Sequence, residues 1–325
     1  MKRRRLTACL SLTVAACATT RPQPESVTKP AVDVAQAVAP PSEAPKPGDP
    51  IVTIVDRGSD PRTLLRYRIV PGTTSTISNE TKMTMVMATG GQPPVEIKMP
   101  AMIFEQEMSW SAAAAPGEVQ LTSRVTNARS LGGSESLPTT VAAVDKMLVG
   151  MIGFKIEAVL TSRGRFRSVK IDVPPGVSPQ AAQMGPILES AIRQSVAAWP
   201  DETVGLGAKW QVKTEIGLGG MKLEQISSFT LESLKGDAVA LKVNVSQKAD
   251  PQELHLSAGQ LPSDTKVLLE SHSAEGSGRY AIDLTGRLLS ATAGMQSKTK
   301  SALVKGAQRT PINSEIHLDM AIKPR

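Results

Sequence analysis

The chain has 325 residues, enough for a sizeable core in one large domain or two ordinary ones. Its formal charge is +7, but Lys2, Arg3, Arg4 and Arg5 supply four of those charges, leaving 7 − 4 = +3 for the rest. With 3% aromatic residues and no basic stripe interleaved with stacking rings, no nucleic-acid partner is expected.

The first residues have the layout of an export leader. Lys2 to Arg5 form a positive head, and Leu6 to Ala16 is an apolar stretch too short to cross a bilayer core of about 30 Å as a helix. Val14-Ala15-Ala16-Cys17 resembles the lipobox of bacterial lipoproteins, in which an aliphatic residue and two small ones precede a cysteine. The resemblance implies cleavage between Ala16 and Cys17 and a diacylglycerol on Cys17, usually with a third acyl chain on the new amino terminus. Two or more chains hold a protein stably on a membrane. The other cysteine, Cys9, would leave with residues 1–16, so the mature chain would have no disulfide and no thiolate metal site. Ala18 follows the lipidated cysteine. That resembles the pattern sorted to the outer membrane, which places the protein on its periplasmic side or on the cell surface.

Residues 17–50 read as a tether. Pro22, Pro24, Pro30, Pro40, Pro41, Pro45, Pro47 and Pro50 lie in a stretch with no aromatic residue and no periodic apolar face, too poor in apolar side chains to offset the entropy of ordering. Proline-rich chain extends by about 3 Å per residue, so this tether reaches about 90 Å when stretched.

From Ile51 to Arg325 the pattern is mainly β. Alternation marks strands at Leu64 to Val70, Ser75 to Met87, Val95 to Trp110, Glu118 to Ser130 and Phe154 to Val173. It returns at Lys209 to Ile216, Lys222 to Leu234, Asp237 to Gln247, Lys266 to Ser273, Arg279 to Leu284, Arg287 to Ala293 and Ile312 to Ile322. Gly72, Gly90-Gly91, Gly132-Gly133 and Gly164 punctuate the first group. Two stretches have helical spacing. Thr139 to Ile152 carries Val141, Val144, Leu148 and Met151. Ser178 to Trp199 opens with a capping serine and Pro179, then shows Ile187, Ala191, Ile192, Val196 and Trp199 on one stripe. The expected fold is mainly β (α+β), a curved antiparallel sheet with one or two helices on one face.

A faint repeat runs through the chain. Gly153-Phe154-Lys155-Ile156-Glu157 followed by Gly164-Arg165-Phe166 is echoed by Gly278-Arg279-Tyr280-Ala281-Ile282 followed by Gly286-Arg287-Leu288. Upstream, Gly117-Glu118-Val119 is echoed by Gly236-Asp237-Ala238-Val239. The reading is either two similar β units, 51–176 and 205–325, joined by the helix 178–199, or a chance likeness between hairpins.

The run Trp199-Pro200-Asp201-Glu202-Thr203-Val204-Gly205-Leu206-Gly207-Ala208-Lys209-Trp210, with the lipobox and the tether, resembles a family of bacterial lipoproteins of unassigned activity. In that family a P-x-x-x-V-G-x-G-x-x-W run opens the second half. The β-rich layout is also loosely similar to the half-barrel of periplasmic lipoprotein carriers, where a curved sheet encloses an apolar cavity. In this run Gly205 and Gly207 suit a tight turn, Trp210 an inward strand position, and Asp201 and Glu202 a structural turn; Lys209 is misplaced for a phosphate loop.

No catalytic constellation stands out, and no enzymatic activity and no cofactor are expected. His255, His272 and His317 lack metal-ligand spacing, and His317 shares a solvated strand face with Asp319. Ser297-Lys298-Thr299-Lys300 matches S-x-x-K in form but without the helix and partner motifs that chemistry needs. The unusual constellation is Met83, Met85 and Met87, three thioethers on one strand face, with Met99, Met102 and Met108 following. Such a face is core packing, an adaptable groove for an apolar ligand, or a soft copper(I) site. Three function classes follow: an apolar-ligand binder on the envelope, an assembly partner of another envelope protein, or a methionine-based copper(I) carrier.

Overall fold

The structure is a computed structural model that describes residues 49–132, 138–177, 189, 192–193, 196–218, 220–254 and 265–325. The leader, Cys17, nearly all of the tether, most of the stretch 178–199 and His255 lie outside the described residues.

The strands are β1 (Ile51–Asp56), β2 (Thr74–Thr89), β3 (Val95–Lys98), β4 (Ala101–Ala112), β5 (Glu118–Leu131), β6 (Lys155–Thr161), β7 (Phe166–Asp172), β8 (Lys209–Leu218), β9 (Met221–Lys235), β10 (Ala238–Ala249), β11 (Gln252–Leu254), β12 (Thr265–Asp283), β13 (Leu288–Lys305) and β14 (Gln308–Pro324). They form one antiparallel sheet in the order β1-β8-β9-β10-β12-β13-β14-β2-β4-β5-β6-β7, with β11 beside β12 and β3 beside β2. The chain is therefore mainly β, as its alternation predicts. Two meanders, β8 to β14 and β2 to β7, meet where β14 pairs with β2, and the first strand crosses over to pair with β8.

Residues directly opposite on paired strands point to the same side of a sheet. Following the register from Val52 through Val212, Ser227, Val245, Gly276, Met295 and Leu318 to Met83 traces one face across eight strands. That face, called inner here, also carries Trp210, Phe229 and Val243. The opposite face carries Lys82, Asp319, Lys242 and Arg279.

The sheet bends round its inner face. Tyr67 N–H donates to Ser162 O in the β6–β7 turn, and the next residue, Arg68, donates to Leu284 O in the β12–β13 turn, both at 2.7 Å. Six strand spacings separate β12 from β6 in the sheet order, about 29 Å if flat. Consecutive Cα atoms are about 3.8 Å apart, so the two turns meet through curvature. The turns match: Thr161 and Asp283 each accept a bond from a glycine three residues on, Gly164 and Gly286, and each donates to the arginine that follows. These are the two Gly-Arg sites of the faint repeat.

Three clusters fill the inner side. One joins Leu65, Trp199, Val204, Trp210, Phe229, Leu231, Leu241 and Leu284. A second joins Trp110, Leu121, Leu160 and Phe166, and Tyr67 packs against both. Burial pushes the Tyr67 phenol up from its usual pKa, and its hydroxyl donates to Ala197 O at 3.4 Å. The third lies under α1 (Pro138–Val149), whose Val144 and Leu148 bury against Val125, Ala128 and Phe154. Proline suits the first helical position, and Asp145 accepts the Ser130 N–H at 2.9 Å.

The structure corrects several sequence expectations. Leu64 to Val70 is not a strand: it is an irregular strap that crosses the end of the sheet, with Leu65 fully buried. Its alternation reflects a segment with one wet and one packed side, and its hydrogen bonds go to turns instead of a ladder. Val95 to Trp110 is two strands, broken at Pro100, which has no N–H for the ladder. Lys266 to Ser273 and Arg279 to Leu284 fall on one strand, β12, which ends at Asp283. β13 continues well past Ala293. The stretch Val196 to Trp199 is not helical, although Glu189, Ile192 and Arg193 are.

Candidate functional site

The site is the middle of the inner face, where the sheet runs from β12 to β2 between the clusters. Met83, Met85 and Met87 do share this face, and all three are half-buried. Met83 stands opposite Leu318, which stands opposite Met295. Met85 stands opposite Ile316 on one side and Ile97 on the other. Met87 stands opposite Ser314 and Val95. Met320 and Ile322 continue the strip on β14, also half-buried. The long, unbranched thioether side chains thus sit among β-branched and leucine neighbours in a strip that none of the three clusters includes.

Met99, Met102 and Met108, which follow the alternating methionines in the sequence, separate from this strip. Met99 and Met102 pack into the cluster under α1, and Met108 packs against the Trp110 cluster. Ile192 and Val196, from the stretch 178–199 expected to be a helix on one face of the sheet, pack on that Trp110 cluster. Trp199, at the end of that stretch, packs with Trp210 in the first cluster, and residues 178–188, 190–191 and 194–195 lie outside the described residues.

The rows through Met83, Met85 and Met87 also contain polar groups that sequence reasoning left aside. The Met85 row runs Thr214, Gln225, Gln247, Ala274, Ser297, Ile316. Gln247 Nε2 donates to Gln225 Oε1 at 2.7 Å, and Gln225 Nε2 to Ser227 Oγ at 3.1 Å. In the Met87 row, Ala249 faces His272, then Thr299 and Ser314. His272 is 7% exposed, its Nδ1 lies 2.8 Å from Thr299 Oγ1, and its Nε2 has no hydrogen-bond partner. Burial lowers its pKa, so the ring is neutral at pH 7. His272 alternates with buried Ala274, but a bulge between Leu269 and Ser271 puts Leu269, not Leu268, on the same face, so the alternation that could have flagged it is broken upstream.

The remaining sequence candidates are structural. His317 is exposed and lies 3.3 Å from Glu315 on the outer face, with Asp319 beside it. Ser297 to Lys300 is part of strand β13, which cannot present an S-x-x-K pair on one helical turn. Asp201 ties the strap down through Arg163 at 3.0 Å and Arg66 at 3.7 Å. Trp210 is fully buried, as expected. Among the described residues no three His, Cys, Asp or Glu side chains cluster as metal ligands. The outer face carries a depression of about 580 Å³ floored by Ser277, Gly278 and Gly294 and flanked by Lys82, Lys242 and Arg279.

No family model matches the chain, and no curated protein matches it. Among solved structures, it is similar to a lipovitellin described for its lipid–protein interactions, at 10% identity and a TM-score of 0.41. That alignment covers 79% of this chain and spans a quarter, 25%, of the lipovitellin chain. OmpT, an outer membrane protein of Vibrio cholerae, aligns in a loop-deleted form at 7% identity and a TM-score of 0.21, over 77% of this chain and 100% of that one. Neither likeness carries an argument about what this chain does.

Proposed function

We propose that this is a non-enzymatic lipoprotein, held on a membrane of the envelope by lipid on Cys17, that takes an apolar ligand on the inner face of its sheet. The observation that carries the reading is the uneven covering of that face. Its flanks are sealed by three clusters, while the strip of Met83, Met85, Met87, Met295, Leu318 and Met320 between them stays half-buried. A sealed core favours branched side chains with defined rotamers, whereas methionine adapts to varied apolar partners.

Native mass spectrometry of the full chain purified from its own membrane should show a lipid-sized adduct. Met85→Asp places a carboxylate in the middle of the strip. It should weaken that adduct by at least about tenfold, since burying a charge beside an apolar ligand costs more than the roughly 1.4 kcal/mol such a factor represents. The melting temperature should shift little, because Met85 is outside the buried clusters. A variant that unfolds, with no adduct on the wild type, would make the strip ordinary packing and favour the assembly-partner reading.

The anchor has its own test. Intact mass of the membrane-purified protein should show a chain beginning at Cys17 and carrying acyl groups, and Cys17→Ser should leave the precursor uncut and unlipidated. A mature wild-type chain without acyl mass would refute the anchor.

A further inference from the structure

The methionine strip is apolar but not featureless, and its one ionisable group is unusual. In the three inner rows through Met83, Met85 and Met87 every inward residue other than His272 is uncharged: valine, leucine, isoleucine, methionine, alanine, glycine, serine, threonine or glutamine. The buried glutamines satisfy each other and Ser227. His272 does not close its network. One ring nitrogen is held by Thr299, which fixes the plane of the ring, and the other is buried without a partner. A buried polar atom left unpaired costs stability, and a buried apolar side chain of similar size would remove that cost. A fixed, half-satisfied imidazole on an otherwise uncharged wall is what a site that recognises a polar head would require.

We propose that Nε2 of His272 binds the head of a single-chain amphiphile whose tail lies along the methionine strip, and that this head is an uncharged hydroxyl. This rests on the apolar-ligand reading above and adds the chemistry of the head. His272 lies three strand spacings from Met87 in one row, about 14 Å, so head and tail are engaged at separate places. A hydroxyl suits either tautomer of the ring, because it donates to a bare Nε2 and accepts from a protonated one. A carboxylate or phosphate head finds no lysine or arginine in these rows to offset its desolvation.

The test uses three ten-carbon probes, 1-decanol, decanoate and 1-decene, in displacement of a fluorescent apolar dye from the full mature chain. The wild type should bind 1-decanol about tenfold more tightly than 1-decene, the worth of one buried hydrogen bond, and decanoate no better than 1-decene. His272→Leu should reduce 1-decanol to the affinity of 1-decene, leave 1-decene unchanged, and raise the melting temperature. His272→Gln, which keeps a hydrogen-bonding group, should retain part of the preference. In the unmutated protein, the 15N resonance of His272 Nε2 should move with 1-decanol and stay still with 1-decene. No displacement by any probe would overturn the apolar-ligand reading itself. Equal affinity for 1-decanol and 1-decene with an unmoved Nε2 resonance would overturn the role of His272 and leave that reading standing. A preference for decanoate would overturn the uncharged head.

Discussion

Replacing Trp210 by alanine should cost about 3–5 kcal/mol of folding stability, measured by denaturant unfolding, the range for removing a fully buried large ring. The indole is 0% exposed. It stacks on Phe229 with ring centres 5.4 Å apart, tilts against Trp199 at 6.0 Å, and donates from Nε1 to Ala198 O at 3.0 Å. Trp199 in turn meets Tyr67 at 5.4 Å, so this ring chain joins the sheet at β8 and β9 to the strap. Trp210→Phe keeps most of the ring and gives up the hydrogen bond, and should cost about 1–2 kcal/mol less than the full cavity. A loss below about 1 kcal/mol for the alanine variant would mean that the strap, and not this ring, holds the end of the sheet.

Gly205→Ala should be as damaging as a core truncation, at about 3 kcal/mol or more, the upper end for overpacking. A Cβ there would lie 1.7 Å from Ser59 O and 2.8 Å from its carbonyl carbon, both backbone atoms that cannot swing aside. The segment Arg57 to Ser59, just after β1, and the approach to β8 are laced by Gly205 N–H to Arg57 O at 2.8 Å and Ser59 N–H to Leu206 O at 2.9 Å, so relief of the clash breaks both bonds. Gly207 gives the control. Its φ is +81° but its added Cβ would meet nothing within 4 Å, so Gly207→Ala pays backbone strain alone, about 1 kcal/mol. Thermal melts of the two variants should separate clearly. Equal melts would show that the 205–207 turn tolerates displacement of the segment Arg57 to Ser59.

These two positions illustrate what the sequence makes legible and what it hides. The glycine pair and the inward tryptophan are readable from the run Val204 to Trp210, but the partner that makes Gly205 indispensable, Ser59, is far away in the chain and has no motif. Strand positions are legible where polar and apolar residues alternate, as in β5 and β9. They are hidden in β12, where Gly276 and Gly278 read as punctuation. In the structure the strand continues, and Cβ atoms at these positions would come within 2.7 Å of Gly294 O and 2.5 Å of Thr292 O, so glycine permits a close approach of β13. The methionine face is legible because Met83, Met85 and Met87 alternate. Its continuation onto Ile316 and Leu318 depends on the register of β2 with β14, strands more than two hundred residues apart, which local pattern does not encode, and the unpaired nitrogen of His272 depends on tertiary packing.

That register has a consequence for the order in which the chain becomes a protein. β14, ending at Pro324, is the seam between the two meanders, pairing with β13 on one side and with β2 on the other. One edge of β2 therefore waits for a strand more than two hundred residues downstream, and so long-range a pairing makes a topology that folds slowly. Until then β2 and β13 each show a long open edge, and those edges are templates for other chains. The seam therefore acts as a latch on the fold: without β14 seated there are two half-sheets with two unpaired edges instead of one continuous face, and such a chain is prone to association.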